Sequence, residues 1–154
     1  MSRRRLLDSY ALLAYLNKEK GFGKVQEALG EAQKSGTHLL MNEINIGETY
    51  YILFRKRGEE KATYFLETIL PGLPIARVAN DFEQVIAAAK MKAKYSLSLA
   101  DCFAVATAFQ EKAIILTGDP EFKKVERLVE IEWILSQADE RGNREFLGMP
   151  NSKT

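Results

Sequence analysis

The chain has 154 residues, of which 46% are hydrophobic and 28% charged, with a net charge of +1. This describes one globular domain with a sizeable core, and no apolar run approaches the roughly 18 residues that cross a bilayer. A single histidine, His38, and a single cysteine, Cys102, exclude an internal disulfide, a zinc site of Cys and His ligands within the chain, and a two-histidine acid–base mechanism.

In chain order, Arg5-Leu6-Leu7 reads as the end of a short buried strand, and Ser9 to Asn17 as a helix with Tyr10, Leu13, Ala14 and Leu16 at helical spacing. Gly21 and Gly23 break it. Lys24 to Ser35 reads as a second helix burying Val25, Ala28, Leu29 and Ala32, with Gly36 as its stop. Thr37 to Met41 is a second strand. Asn42 to Arg57 is a long helix with Ile44, Gly47, Tyr51 and Phe54 at helical spacing, ended by Gly58, and Glu59 to Leu70 is another helix. Pro71-Gly72 reads as a turn, Leu73 to Val78 as a third strand, and Asn80 as the cap of a helix running to about Lys94. Ser98 to Lys112 is the most apolar helix and leads into a fourth strand, Ala113 to Leu116. A short helix over Glu121 to Arg127 and an edge strand over Glu130 to Leu135 follow. From Ser136 to Thr154 the chain is polar and aperiodic, which predicts a flexible tail behind a domain of residues 1–135. Strands alternating with helices predict an α/β fold, a three-layer α/β/α sandwich around a mostly parallel sheet. In such sheets ligands gather beyond the carboxyl ends of the strands, where strand order reverses.

The familiar catalytic loops are missing. No Gly-x-Ser-x-Gly elbow is present to serve a triad built on His38. Gly21-Phe22-Gly23 lacks the third glycine of a dinucleotide loop, with Gln26 in its place, and no Gly-x-x-x-x-Gly-Lys-Ser/Thr loop occurs. Met1-Ser2-Arg3-Arg4-Arg5 is basic, but Asp8 interrupts the apolar stretch behind it, so the parts of a secretory signal are not all present and a cytoplasmic location is expected.

Carboxylates remain, and four stand in apolar settings. Asp8 directly follows strand one and would also cap the next helix. Asp119 follows Thr117-Gly118 beyond strand four, and with Pro120 it too reads as a cap. Asp101 lies in Ser98-Leu99-Ala100-Asp101-Cys102-Phe103-Ala104, where Ser98-x-x-Asp101 is equally a variant capping box. Glu48 is mid-helix between Ile44 and Ile52, while Glu43, Arg55 and Lys56 supply the solvated side. If the strands pair as expected, all four acids converge. Unit charges about 4 Å apart repel by ~4 kcal/mol at an effective dielectric of ~20, so such a pocket needs protons or a cation. Oxygen ligands without His or Cys favour Mg²⁺ or Mn²⁺.

The order Leu6-Leu7-Asp8-Ser9, Asn45-Ile46-Gly47-Glu48-Thr49-Tyr50-Tyr51, Ser98-Leu99-Ala100-Asp101 and Thr117-Gly118-Asp119-Pro120-Glu121-Phe122 resembles the PIN-domain family, and within it the VapC-type toxins of toxin–antitoxin pairs. The likeness covers roughly residues 5 to 135. It implies a metal-dependent ribonuclease that leaves a 5′-phosphate, frequent homodimers, and a small antitoxin that blocks the site. Carried over by position, Asp8, Glu48, Asp101 and Asp119 are the catalytic, metal-holding acids. Glu43 rivals Glu48, Glu121 is an auxiliary ligand, and Ser9, Ser98 and Thr117 match small hydroxyl residues near the acids. RNA phosphates would meet cations among Arg3 to Arg5, Arg55 to Arg57, Lys90, Lys92, Lys94 and Lys123-Lys124-Arg127. Tyr50, Tyr51 and Tyr95 are candidates for stacking on bases or for core packing. His38 reads as structural and Cys102 as a small buried hydrophobe. Two other readings compete: a non-catalytic RNA-binding or protein-interaction module on the same fold, and a phosphoryl-transfer protein. The second needs an acidic pair around strand one, whereas Asp8 is followed by Ser9 and Tyr10.

Overall fold

The structure is a computed structural model that describes residues 3–135, so the tail expected from Ser136 onward lies outside the described residues. Five short strands, β1 (Arg5–Leu7), β2 (Leu39–Asn42), β3 (Ile75–Val78), β4 (Ile114–Thr117) and β5 (Ile131–Trp133), form one sheet in the order β3-β2-β1-β4-β5. All four pairings are parallel, which makes the sheet parallel throughout and puts β5 at an edge as expected.

Strand side chains alternate between faces, and this alternation divides the interior. Leu7, Leu39, Met41 and Leu116 point into one cluster with α1 (Ser9–Leu16), α2 (Phe22–Ser35), α3 (Glu43–Arg57) and α4 (Glu59–Tyr64). Leu6, Leu40 and Ile115 point into the other, against α6 (Phe82–Lys94), α7 (Leu99–Glu111) and a 3₁₀ turn over Pro120–Val125 that contributes Phe122 and Val125. The result is the three-layer sandwich. The chain crosses from β1 outward to β2 and β3, then returns to β4 on the other side of β1, so strand order reverses between β1 and β4.

Four expectations need correction. The cap of α6 is Asp81, whose side chain accepts from Gln84 N at 2.8 Å. Asn80 instead exchanges two amide hydrogen bonds with Asn42, part of a buried network in which Asn42 and Gln84 both donate to Thr107. On α3 the inward face is Asn45, Ile46, Thr49 and Leu53, while Ile44, Tyr51 and Phe54 are exposed, so the apolar spacing marked the helix but not its buried side. The helix beginning at Glu59 is not uniform: it widens into a π segment at Phe65–Ile69 and continues as α5 (Leu70–Gly72), so Pro71-Gly72 ends a helix and is not a free turn. Last, the short helix expected over Glu121 to Arg127 is the tighter 3₁₀ turn, starting at Pro120.

Candidate active site

The reversal point between β1 and β4 opens as a cleft of about 460 Å³ lined by Asp8, Ser9, Tyr10, Leu13, Glu48, Ile52, Ser98, Asp101, Asp119 and Glu121. All four acids singled out from the sequence line it, together with Glu121, and among the described residues no Lys or Arg does. Glu43, the rival of Glu48, does not line it.

Each acid is positioned by a local device. Asp8, 1% exposed, has extended backbone and caps α1, its Oδ1 accepting from Ala11 N at 2.8 Å. The pairing of Leu7 with Leu116 sets the next residue, Asp8, beside Thr117, whose hydroxyl donates to Asp8 Oδ2. That same hydroxyl accepts from Asp119 N at 3.0 Å, so one threonine links the acids that leave β1 and β4. Asp119 caps the 3₁₀ turn by accepting from Glu121 N. Ser98 caps α7 by accepting from Asp101 N at 3.1 Å, and Asp101, 8% exposed, sits in the first turn of that helix. Glu48 is half-buried on α3 and accepts a hydrogen bond from the Ser9 hydroxyl. Asn45, fully buried one turn before Glu48, donates to Ala100 O at 3.1 Å and ties α3 to the start of α7. The capping and the cleft roles therefore coexist, because a carboxylate oxygen that accepts one hydrogen bond keeps a further lone pair.

The electrostatics report crowding. Burial pushes the Asp8 carboxyl up to about 8, opposed by the bonds from Thr117 and Ala11 and reinforced by the charges of Asp101 and Asp119. Asp101 is pushed up to about 6, first by burial and then by Asp119, with Ser98 opposing and Glu48 and Glu121 adding to the rise. Burial also raises the Tyr10 phenol, followed by Asp119, Glu19 and Asp8. A donor set of oxygens alone, in which Asp8, Glu48, Asp101 and Asp119 pair with no cation among the described residues, fits a hard divalent ion in chemistry and in charge. The spacing is looser: among the described residues no three Asp, Glu, His or Cys side chains stand close enough, as placed, to share one ion.

The basic runs fare differently. Arg3 pairs with Glu130, Arg4 with Glu111, and Arg5 with both Glu31 and Glu132. These pairs surround the amino end of β1, the opposite end from the cleft. His38 is exposed and lines a hollow there with Arg3, Arg4 and Arg5. Lys92 donates to Leu97 O, and Lys124 to Ser96 O and Glu121. Tyr51 carries Arg55 over its ring at 5.2 Å, Tyr50 packs on the core, and Cys102 is fully buried. The sequence reading did not single out Tyr10, Leu13 and Ile52 as cleft residues or Asn45 as a tie. The signal available was a tyrosine two positions after Asp8, in the first turn of the helix that Asp8 caps.

Fold and site together define a parallel α/β protein with a carboxylate-lined cleft at its topological switch point. The chain belongs to the PIN domain family, whose family model matches residues 5–128. A comparison with curated proteins found no match. Among solved structures, the fold is similar to a chain of the DNA-bound VapBC of Salmonella typhimurium, with TM-score 0.67 and 14% identity over 86% of this chain and 99% of that one. It is similar to FitAcB from Neisseria gonorrhoeae, with TM-score 0.62 and 17% identity over 84% and 97%. It is also similar to the sarcin-ricin loop cleaving toxin VapC20 of Mycobacterium tuberculosis, with TM-score 0.57 and 13% identity over 77% and 92%. Among the described residues no helix is long and apolar enough to cross a membrane.

Proposed function

We propose that this PIN-domain protein is a metal-dependent endoribonuclease and the toxin of a toxin–antitoxin pair, held inactive by a small antitoxin. The observation that carries the catalytic part is the convergence of Asp8, Glu48, Asp101 and Asp119, drawn from four separate stretches of chain, on one cleft that no lysine or arginine lines among the described residues. The toxin part rests on the likeness in fold to VapBC, FitAcB and VapC20.

Asp8, Asp101 and Asp119 would hold one or two Mg²⁺ or Mn²⁺ ions, with Glu48 assisting and Glu121 auxiliary. The chemistry such an ion would supply there is a lowered pKa for a water and neutralisation of phosphate charge. The chain's own residues do the rest. Thr117 keeps Asp8 and Asp119 in one frame, Ser9 orients Glu48, and Asn45 sets α3 against the start of α7. Water attacks phosphorus, the P–O bond to the leaving 3′-oxygen breaks, and that oxygen takes up a proton, leaving a 5′-phosphate and a 3′-hydroxyl. The protein acts in the cytoplasm as a homodimer.

Cleavage of single-stranded RNA is measured with Mg²⁺, with Mn²⁺ and with EDTA, for wild type and Asp101→Asn. Cutting by wild type with either ion, and none with EDTA or by the variant, is expected. Equal cutting in every arm defeats the metal claim, and no cutting in any arm defeats the nuclease claim.

A further inference from the structure

The cleft is not acidic all round. Tyr10 and Leu13 from α1 and Ile52 from α3 line it as well, each half-buried, so each leaves part of an uncharged surface open to the cleft. Tyr10 and Leu13 are anchored from behind by packing against the core cluster. The Tyr10 ring is also seated against the backbone of Gly118, the residue between Thr117 and Asp119: a Cβ added there would overlap Tyr10 Cε1, lie 3.0 Å from Tyr10 Cδ1 and 3.0 Å from Ile134 Cγ1. Gly118 has no left-handed backbone to explain its identity. What excludes a side chain at this position is the close approach of the aromatic ring. The Thr117-Gly118-Asp119 segment therefore does two things, placing an acid in the cleft and leaving room for an aromatic ring beside it.

From this juxtaposition of acids and an anchored apolar wall in one cleft, we propose that Tyr10, Leu13 and Ile52 form a subsite for an unpaired nucleobase next to the phosphate handled by the acids. The proposal rests on the nuclease reading for its substrate class. The charges favour a base over the other parts of a nucleotide. A phosphate against this wall would face the carboxylates without compensation, whereas a neutral flat ring loses little on leaving water and gains contact with the open part of the phenol ring and two branched aliphatic chains. Stacking of this kind tolerates any base, because every base presents a π-face. It also requires the base to be unstacked and unpaired, so the wall selects single strands, loops or ends over duplex.

The test uses the full chain and two probes in the presence of Mg²⁺, uridine 5′-monophosphate and ribose 5-phosphate, titrated by calorimetry. Wild type is expected to bind the nucleotide about tenfold tighter than the sugar phosphate, the scale of one base–aromatic stack. Tyr10→Ala is expected to lose that factor for the nucleotide only, and Tyr10→Phe to keep it. Ile52→Ala, at a position outside the core clusters, is expected to lose a smaller part of it and serves if Tyr10→Ala fails to fold. Equal affinity of wild type for the two probes, binding of neither, or an equal loss for both probes in the variants overturns the subsite. Binding is read without cleavage. A chain that binds the nucleotide through Tyr10 but leaves RNA intact keeps the subsite and loses the nuclease reading, and a chain that cuts RNA while treating both probes alike does the reverse.

Discussion

The two ends of the sheet carry charge in opposite ways. At the amino end of β1, Arg3, Arg4 and Arg5 sit among Glu111, Glu130, Glu31 and Glu132, and each cation is paired. At the carboxyl end, five carboxylates line one cleft with no lysine or arginine in its lining among the described residues; only Glu121 is paired, with Lys124 outside the lining, and Asp8 and Asp101 are held above their ordinary pKa by burial and by neighbouring acids. A paired charge at the surface does modest structural work. An unpaired buried charge costs stability in the free protein, and the ligand that neutralises it recovers that cost. On the proposed function the working site lies at the carboxyl end, although a basic run such as Arg3 to Arg5 looks, in a sequence, like the more obvious contact for RNA.

The largest effect is expected at the acidic end. Asp101→Asn should lower RNA cleavage by at least about a hundredfold, since it removes charge where the reacting phosphate is stabilised. The same change should raise the thermal midpoint of the metal-free protein by a few degrees, because a neutral amide replaces a disfavoured carboxylate. Loss of both activity and stability would mean that Asp101 is structural only.

Next comes pH. Asp8 titrates at about 8 in the folded chain against 3.8 ordinarily, and Asp101 at about 6. Between these values the folded chain binds more protons than the unfolded one, so stability falls as pH rises through the window. Thermal scans without metal should show a midpoint decreasing from about pH 4 to about pH 8. Saturating Mn²⁺ should reverse the trend, with its largest upward shift at the alkaline end. A metal-induced shift that is the same at every pH would separate the ion from these carboxylates.

A smaller effect is expected at the amino end. Arg5 bridges α2 and the edge strand β5 from the first residue of β1, with its side chain 30% exposed. Arg5→Ala should cost on the order of 1 kcal/mol, read as a midpoint lowered by a few degrees, with kcat/KM for RNA unchanged. Reduced kcat/KM at full stability would blur the contrast between the two ends. The smallest change is expected for Arg3→Ala, whose pair with Glu130 is about half exposed on both sides. Its unfolding free energy, read from denaturant titration, should change by no more than about 0.5 kcal/mol.

Much of the fold was legible locally. Helical spacing marked α2 and its buried Val25, Ala28, Leu29 and Ala32, and Gly36 stops it in the left-handed conformation as the sequence suggested. Short apolar runs marked all five strands. The pattern pointed to Asn80 as the cap of α6, but its neighbour Asp81 took the role and Asn80 was drawn across to Asn42. On α3 an apolar stripe of Ile44, Tyr51 and Phe54 stayed outside while Asn45 and Thr49 went in, where Asn45 Nδ2 donates to Ala100 O and Thr49 Oγ1 to Asn45 O, although Asn45 Oδ1 finds no partner among the described residues.

For the site, the sequence by itself determined that acids would stand at the ends of strands and the starts of helices, since capping is a matter of a few consecutive residues. Only the tertiary structure decided that β4 returns beside β1, which joins Asp8 to Asp119 through Thr117 and brings in Glu48 and Asp101 from distant segments. It alone set an aromatic ring against Gly118 to make a wall. The reason is range: a cap is satisfied by its own neighbours, whereas a cleft is made by parallel strands whose pairing depends on every helix packed across them.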